Sequence, residues 1–408
     1  LADGSETQEV SAVMSQYEDS RIHYVRLQEN GGISENTNQA LAYATGDYCG
    51  LVDHDDILTP DALYEMARAI TEAVSEGKEK PVLLYSDEDK CDAQGNHFYD
   101  PHIKQDFNLD LLLTNNYICH LCVVETAWIQ KLQIRRQYDG AQDYDFVLRC
   151  TEHTKPEQIV HIPKILYHWR THPMSTAGNP ASKAYAFEAG RRALEAHYKR
   201  VGIQAQVENT EMLGRYRTRF ALLEQPLVSI LIPNKDHIAD LMTCLTSIVE
   251  KTTYASYEIV IIENNSEQQE TEAFYRDLES GKIPEYADLV RSERLRIVRY
   301  PGSFNYSAIH NFALPYTKGE YLLLLNNDTE VRSGGWIEEL LGLCQQKDIG
   351  VVGAKLYYPD GTIQHAGVVI GLCGVDTRQL TRTLREFQGA GMVKLSRGLV
   401  TVLDWERL

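Results

Sequence analysis

The sequence predicts an α/β fold, built twice along one chain of 408 residues. Two observations carry this. From Pro226 onward, β-rich runs alternate with helical patterns: "LVSILIP", then "ADLMTCLTSIVEKT", then "YEIVIIE". That is the strand, helix, strand rhythm of a parallel sheet with helices on its faces. The chain also repeats itself. Residues 21–55, "RIHYVRLQENGGISENTNQALAYATGDYCGLVDHD", align without a gap on residues 294–328, "RLRIVRYPGSFNYSAIHNFALPYTKGEYLLLLNND". Arg21, Val25, Arg26, Ser34, Asn38, Ala40, Leu41, Gly46, Tyr48, Leu51 and Asp55 all recur, and Asp55 meets Asp328. Upstream, "DGSETQE" (3–9) resembles "NNSEQQE" (264–270). A chain of this length exceeds one ordinary core, so two domains are expected on size as well.

Taken in order, the first copy opens at "LADGS", which reads as the end of a strand. Its opening strand and helix, present in the second copy, are expected to be missing, leaving a sheet that lacks an element or is completed by another chain in an oligomer. After "GDYCGLVDHDD", "PDALYEMARAI" reads as a helix with Pro60 in its first turn and Thr59 and Asp56 as candidate caps. "PVLLYS" is a further strand. In "SKAYAFEAGRRALEAHYKRVG", Phe187, Gly190, Leu194, His197 and Val201 share a helical face, with Gly202 suited to a C-cap. That helix is expected to close the first domain. Residues 203 to 226 read as a short strand pair and a connection. The expected division is 1–205 for the first domain, 206–226 for a linker and 227–408 for the second, with the boundary near Pro226.

Composition narrows the function. A formal charge of −18 without a Lys/Arg block argues against attraction to phosphate backbones, so nucleic acid is not an expected partner. Apolar runs such as "LVSILIP" are far shorter than a bilayer span, and no membrane-crossing segment is expected. The eight cysteines are read as reduced thiols of a cytoplasmic protein, and no structural zinc site is expected.

Ligands of parallel α/β sheets gather at the carboxyl ends of strands, and "GLVDHDD" places Asp53, Asp55 and Asp56 at such an end. Hard oxygens there suit Mg²⁺ or Mn²⁺ bridging to a diphosphate. Capping of the next helix, with solvation of the rest, is the alternative. "YSDEDK" places Asp87, Glu88 and Asp89 after another strand; a charged surface turn closed by "DAQG" is the competing reading. His120 in "NYICHL" is similarly placed and has no assigned role.

These motifs carry a resemblance. "ENGGISENTNQALAYATGDYCGLVDHDDIL", "YSDEDKCDAQG", "GAQDYDFVLR" and "ILYHWRTH", followed by "VSILIPNKD", "FNYSAIHN", "LLLLNNDTEV" and "YYPDGTIQHAGVV", make the chain similar to a tandem family 2 glycosyltransferase. Such proteins carry two GT-A domains, Rossmann-like nucleotide-diphospho-sugar transferase folds with mainly parallel central sheets, and serve bacterial surface-polysaccharide assembly such as O-antigen or capsule. The chain looks like one truncated at both ends. The resemblance implies an inverting, metal-dependent transfer of sugar from a nucleotide-diphosphate donor to a saccharide or lipid-linked acceptor. It also implies a cytoplasmic location, with peripheral association at the inner membrane face. Asp3, Asn30, Asn38 and Asp53 would lie at the donor, although an Asn38 on the helix before the metal strand has an equally good structural reading. Asp55 and His168 would hold the metal, as would Asp328 in the second copy, although a lone His after an apolar strand has an equally good structural reading. Asp143 would be the general base, with Asp145 the residue to be confused with it. Asp87, Glu88, Asp89 and Trp169 would face the acceptor, although Trp169 also reads simply as core, and Arg170 could contact phosphate. Gln142 departs from the family's usual Glu, and Ala2 from its usual acid before "DGS".

The second copy has Asn326 and Asn327 where the first has Asp53 and His54, so a weaker metal site is expected. Glu263 and Asn264 match base-reading positions, Asp360 and His365 parallel the acceptor-side segment, and no counterpart of "GAQDYDFVLR" follows. Two other classes stay open: a non-catalytic glycan-binding scaffold, and a sugar nucleotidyltransferase. The latter would normally show a basic Gly-rich loop, where "IPNKDHIADL" offers only Lys235.

Overall fold

A computed structural model of the chain describes residues 1–171, 184–347, 349–365, 393–396 and 399–402. Two compact units emerge, one built on Leu1–Arg219 and the other beginning at Phe220. His172, in the "ILYHWRTH" motif, and most of the terminal "LSRGLVTVLDWERL" lie outside the described residues.

The second unit has the expected parallel sheet. Its strands run in the order Leu295–Arg299, Tyr257–Glu263, Val228–Asn234, Tyr321–Leu324, and each pairing is parallel. The apolar runs are continuous because both faces are covered. Ile230, Ile232, Ile259 and Ile261 pack on one side with Leu241, Leu245 and Ile248 of helix Ile238–Lys251. Leu231, Val260 and Ile262 face the other way, onto Ile309 and Ala313 of helix Tyr306–Ala313.

The sheet of the first unit is mixed. Its order is Tyr48–Leu51, Cys122–Glu125, Leu83–Cys91, Ile159–Arg170, Ile57–Leu58, with Phe98–His102 also on Leu83–Cys91. Of these pairings only Leu83–Cys91 with Ile159–Arg170 is parallel. The mainly parallel expectation therefore describes the second unit; for the pair Leu83–Cys91 and Phe98–His102 the reason is connection length. The turn between Cys91 and Phe98, with Gly95 at φ +70°, can return a strand only antiparallel, since parallel neighbours need a long crossover. Strands Ala2–Asp3 and Val25–Arg26 pair in parallel as a separate small sheet. Among the described residues of this unit, nothing corresponds to the central strand Val228–Asn234.

That difference gives one repeated glycine two environments. A Cβ on Gly319 would lie 2.6 Å from the Leu227 carbonyl oxygen and 2.7 Å from the Ser229 nitrogen, whereas on its counterpart Gly46 the nearest atom is the Tyr48 carbonyl oxygen at 3.4 Å. Gly319→Ala is expected to cost the second unit about 1–3 kcal/mol through overpacking, and Gly46→Ala far less. Equal losses in thermal unfolding would contradict this account.

Helix Ala184–Arg200 buries Ala186, Ala189, Gly190, Ala193, Leu194 and His197, while Val201 lies past its end and is exposed. Gly202 follows at φ +77°. Of the stretch read as a linker, the part to Phe220 is folded: Ala205–Asn209 and Tyr216–Phe220 pair as a two-stranded sheet. The Tyr216 hydroxyl donates to the Phe187 carbonyl at 3.1 Å. It passes so close to the helix that a Cβ on Gly190 would sit 2.0 Å from it.

Candidate active site

In the first unit, the loop after strand Ala2–Asp3 meets the loop before helix Ile33–Leu41. A Cβ on Gly4 would lie 3.2 Å from the Asn30 Cα, so the predicted donor residues Asp3 and Asn30 are brought together. Asp3 is buried. Its Oδ1 accepts from the Ser5 amide at 2.8 Å, and its Oδ2 from the Tyr24 hydroxyl at 2.6 Å and Arg26 at 2.8 Å. Bonds from Ser5 and Tyr24, followed by Arg26, hold its carboxyl well below the usual carboxylate range. Asn30 Oδ1 takes the Gly32 amide at 3.0 Å and the Asn36 side chain at 2.9 Å. Asn38 follows its structural reading. Its amide donates to the Ile134 carbonyl and accepts from the Ile134 nitrogen, both at 2.8 Å, so both polar atoms are committed to the fold.

The crowded acids after strand Tyr48–Leu51 divide. Asp53 projects outward, its side chain 55% exposed, and Asp55 is partly open, with Oδ1 4.0 Å from His54 Nδ1. Asp56 turns inward. It accepts from the Tyr167 hydroxyl, and from the Arg170 backbone nitrogen at 2.8 Å. Burial raises its pKa against those two bonds. Asp56 is therefore an anchor rather than a helix cap. Thr59 bonds Asp61 at 2.8 Å, and the helix spans Ala62–Ser75 without a side-chain cap. The Arg170 guanidinium bonds the backbone carbonyls of Asp55 and Ala93, which fixes the acid loop from behind.

Asp87, Glu88 and Asp89 are not a surface turn. They are 2%, 7% and 8% exposed, within strand Leu83–Cys91, and each meets nitrogens from distant segments. Asp87 Oδ1 lies 2.9 Å from His161 Nε2 and accepts from the Lys104 amide at 2.8 Å. Burial would lower the His161 pKa, but Asp106 and Asp87 hold it above its ordinary value. Glu88 lies 3.1 Å from His102, 3.8 Å from Lys104 and 3.4 Å from His120. Burial opposes its ionisation, yet Lys104, His102 and His120 outweigh burial and lower its pKa. Asp89 Oδ1 sits 2.5 Å from His168 Nδ1. Unpaired charges would not tolerate such burial; paired ones do.

The two acids of helix Gln142–Thr151 also separate. Asp145 is fully buried and clamped by Arg135 and Arg149. Asp143 is half-buried and, among the described residues, accepts one bond, from the Asn116 amide at 2.9 Å. The turn before this helix reaches the donor loop, because the Ser34 hydroxyl donates to Asp139. The acid loop and the base helix both approach the segment 116–120: His120 Nε2 lies 4.0 Å from Asp53 Oδ2, and Asn116 holds Asp143. Burial would lower the His120 pKa, but Glu88 above all, with Asp53 and Asp143, holds it above its ordinary value. Trp169 is partly buried against the core of Leu84, Leu121 and Tyr167, with its ring 5.5 Å from His120.

In the second unit Asp328 is exposed. The Asn327 amide donates to Asn234 at 2.6 Å, and Glu263 accepts the Ser266 amide and hydroxyl at 2.5 and 2.7 Å. Asn264 donates to the Gly302 carbonyl at 2.9 Å. Asp360 bonds Thr362, and His365 is exposed.

Sequence reasoning passed over Asn116, Asp139, Lys104 and His161, whose only signal is spatial. It also passed over the Cys119-His-Leu-Cys122 spacing around His120. The seven cysteines among the described residues are free. Among those residues no three of His, Cys, Asp and Glu are gathered as a metal cluster, and no helix is long and apolar enough to cross a membrane.

The family model for glycosyl transferase family 2 matches residues 1–75 and 229–386. The chain belongs to that family. The family 2 fold is an α/β GT-A domain. The chain is 41% identical over 380 residues to the uncharacterized protein y4gI of Sinorhizobium fredii (strain NBRC 101917 / NGR234), an alignment covering 92% of this family 2 chain and 40% of the relative. It is 37% identical over 357 residues to the O-antigen biosynthesis protein RfbC of Myxococcus xanthus, covering 87% of this chain and 26% of that one. The chain thus spans well under half the length of these relatives. The crystal structure of S. aureus TarS 1-349 in complex with UDP is matched at a TM-score of 0.34 and 17% identity, over 48% of this chain and 61% of that one.

Proposed function

We propose that the first unit transfers a sugar, with inversion, from a nucleotide-diphosphate donor to a saccharide or lipid-linked acceptor in cell-surface polysaccharide synthesis, in the cytoplasm or at the inner membrane face. The observation that supports this reading is the approach of the acid loop and the base helix to one segment: Asp53 Oδ2 lies 4.0 Å from His120 Nε2, and Asn116 of the same segment donates to Asp143 at 2.9 Å. In the reaction, the acceptor oxygen attacks the anomeric carbon as its proton passes to the Asp143 carboxylate. The bond to the diphosphate breaks, and the nucleoside diphosphate leaves with the electron pair. Positioned general-base catalysis of this kind contributes roughly 10²- to 10⁴-fold.

Within this proposal, Mn²⁺ or Mg²⁺ is assigned to Asp55 and His168. Asp55 offers hard oxygens, and the Asp89 carboxylate holds His168 by Nδ1, the arrangement that orients metal-ligating imidazoles. Two protein ligands suffice for a cation that keeps water and phosphate in its shell. When bound, the ion would stabilise the charge building on the leaving diphosphate. RfbC, an O-antigen biosynthesis protein by name, supports the polysaccharide setting. For the second unit, where Asn replaces two of the polar positions beside Asp328, we propose a weaker metal site.

Calorimetric titration of UDP, GDP and dTDP with Mn²⁺ tests this reading. Binding of one nucleotide is expected, abolished by EDTA and by Asp55→Ala, and little changed by Asp328→Ala. A folded protein that binds none of the three would leave the scaffold reading instead.

A further inference from the structure

His120 has a geometry that the reaction outlined above leaves unused. Its ring stacks on Tyr167 at 4.9 Å and 15°, and the Tyr167 hydroxyl is itself fixed to Asp56. Its backbone nitrogen donates to Glu88 Oε2 at 2.6 Å, and its Nδ1 lies 3.4 Å from the same oxygen. The ring is thus held from beneath, while its buried Nδ1 faces Glu88 without making a hydrogen bond. The opposite edge is open: Nε2 makes no hydrogen bond among the described residues. It lies 4.0 Å from the exposed Asp53 Oδ2, beyond hydrogen-bond reach, and the side chain keeps 24% of its surface accessible. Trp169 stands beside it at 5.5 Å and 52°, so the two rings form an aromatic corner with Nε2 directed outward.

The place of this corner follows from in-line displacement. The leaving diphosphate lies on the donor-acid side, and the attacking hydroxyl lies on the base side. Whatever is between them is the sugar in transit. His120 faces the donor side through Asp53, 4.0 Å from its Nε2, and belongs to the segment whose Asn116 holds Asp143 on the base side. Resting on the glycosyltransferase reading, we propose that His120 and Trp169 grip the transferred sugar and select it, with the Nε2–H of His120 donating to a sugar hydroxyl and the indole packing on a C–H face of the ring. A pyranose has this mixed character, polar around its edge and apolar on its faces, and the corner offers one donor with one apolar wall.

The test compares nucleotides with nucleotide sugars on the whole chain. UDP, GDP and dTDP, and then UDP-glucose, UDP-N-acetylglucosamine, GDP-mannose and dTDP-glucose, are titrated with Mn²⁺ into the wild type and into His120→Phe, His120→Gln and Trp169→Leu. In His120→Phe the bare nucleotide is expected to keep its affinity within about twofold, while the sugar nucleotide weakens by about tenfold, the scale of one lost hydrogen bond. His120→Gln, which retains an N–H donor, should recover part of that loss, and it also serves if the Phe variant fails to fold. Trp169→Leu should weaken only the sugar nucleotides. Equal weakening of nucleotide and sugar nucleotide would assign His120 to the phosphates or to the fold and overturn the proposal, as would no change in either. A wild type that binds no nucleotide sinks the transferase reading itself, an outcome visible before any His120 variant is made.

Discussion

Asp145→Ala is expected to destabilise the first unit by about 3–5 kcal/mol, the usual consequence of removing one partner from a buried ion pair. Asp145 is fully buried, and its carboxylate accepts from Arg135 Nε and Arg149 Nε at 2.9 Å each. Arg149 is itself only 6% exposed. Its other nitrogens donate to the carbonyls of Leu132 and Gln133 at 2.6 Å, so it cannot swing out to water without releasing the end of helix Thr126–Leu132. Removing the acid strands two guanidinium groups between that helix and the base helix. Chemical denaturation followed by tryptophan fluorescence checks this, since Trp128 and Trp169 both lie in the first unit. A loss below about 1 kcal/mol would mean that water reaches the arginines and that the clamp is not structural.

Asp143→Asn should do the reverse. The side chain keeps its shape and can still accept from Asn116, so stability should change by less than about 0.5 kcal/mol, as for a substitution that leaves packing intact. Turnover of the nucleotide sugar identified by calorimetry should nevertheless fall by about 10²- to 10⁴-fold, with affinity for the bare nucleotide unchanged. A variant retaining a tenth or more of wild-type turnover would remove Asp143 from the base role. The two acids stand two residues apart on one helix, and the pair of variants separates chemistry from architecture on that element.

The second unit was largely legible in the sequence. "LVSILIP" and "YEIVIIE" are apolar without alternation because helices cover both faces, and the repeat carried the remaining elements. The first unit was legible where its signals are local: the repeat, the acid loop and helix Ala184–Arg200. It was opaque where partners come from afar. Asp87, Glu88 and Asp89 look like a solvated turn, because nothing in the three letters shows that His102, Lys104, His120, His161 and His168 converge on them. Antiparallel entry of Cys122–Glu125 beside Tyr48–Leu51 is likewise a property of chain return, which residue patterning does not encode. Asn38 is a different case. Its recurrence as Asn311 drew attention to it, while its two bonds to Ile134 show that a repeated polar residue can belong to the scaffold.

Strand Ile159–Arg170 touches more of the site than any motif within it. Lys164 pairs with Glu65, Tyr167 with Asp56, His168 with Asp89, and Arg170 with the acid loop. Along a strand successive side chains point to opposite faces, so these partnerships depend on parity. A point substitution here alters one link. Inserting or deleting a single residue between Pro163 and Tyr167 would exchange the faces of Tyr167 and His168 together, detaching the acid loop and the Asp89 pair in one event. This stretch of the gene can therefore drift by substitution but hardly by change of length. New specificities reach this site more readily through the loops on either side of the strand than through the strand itself.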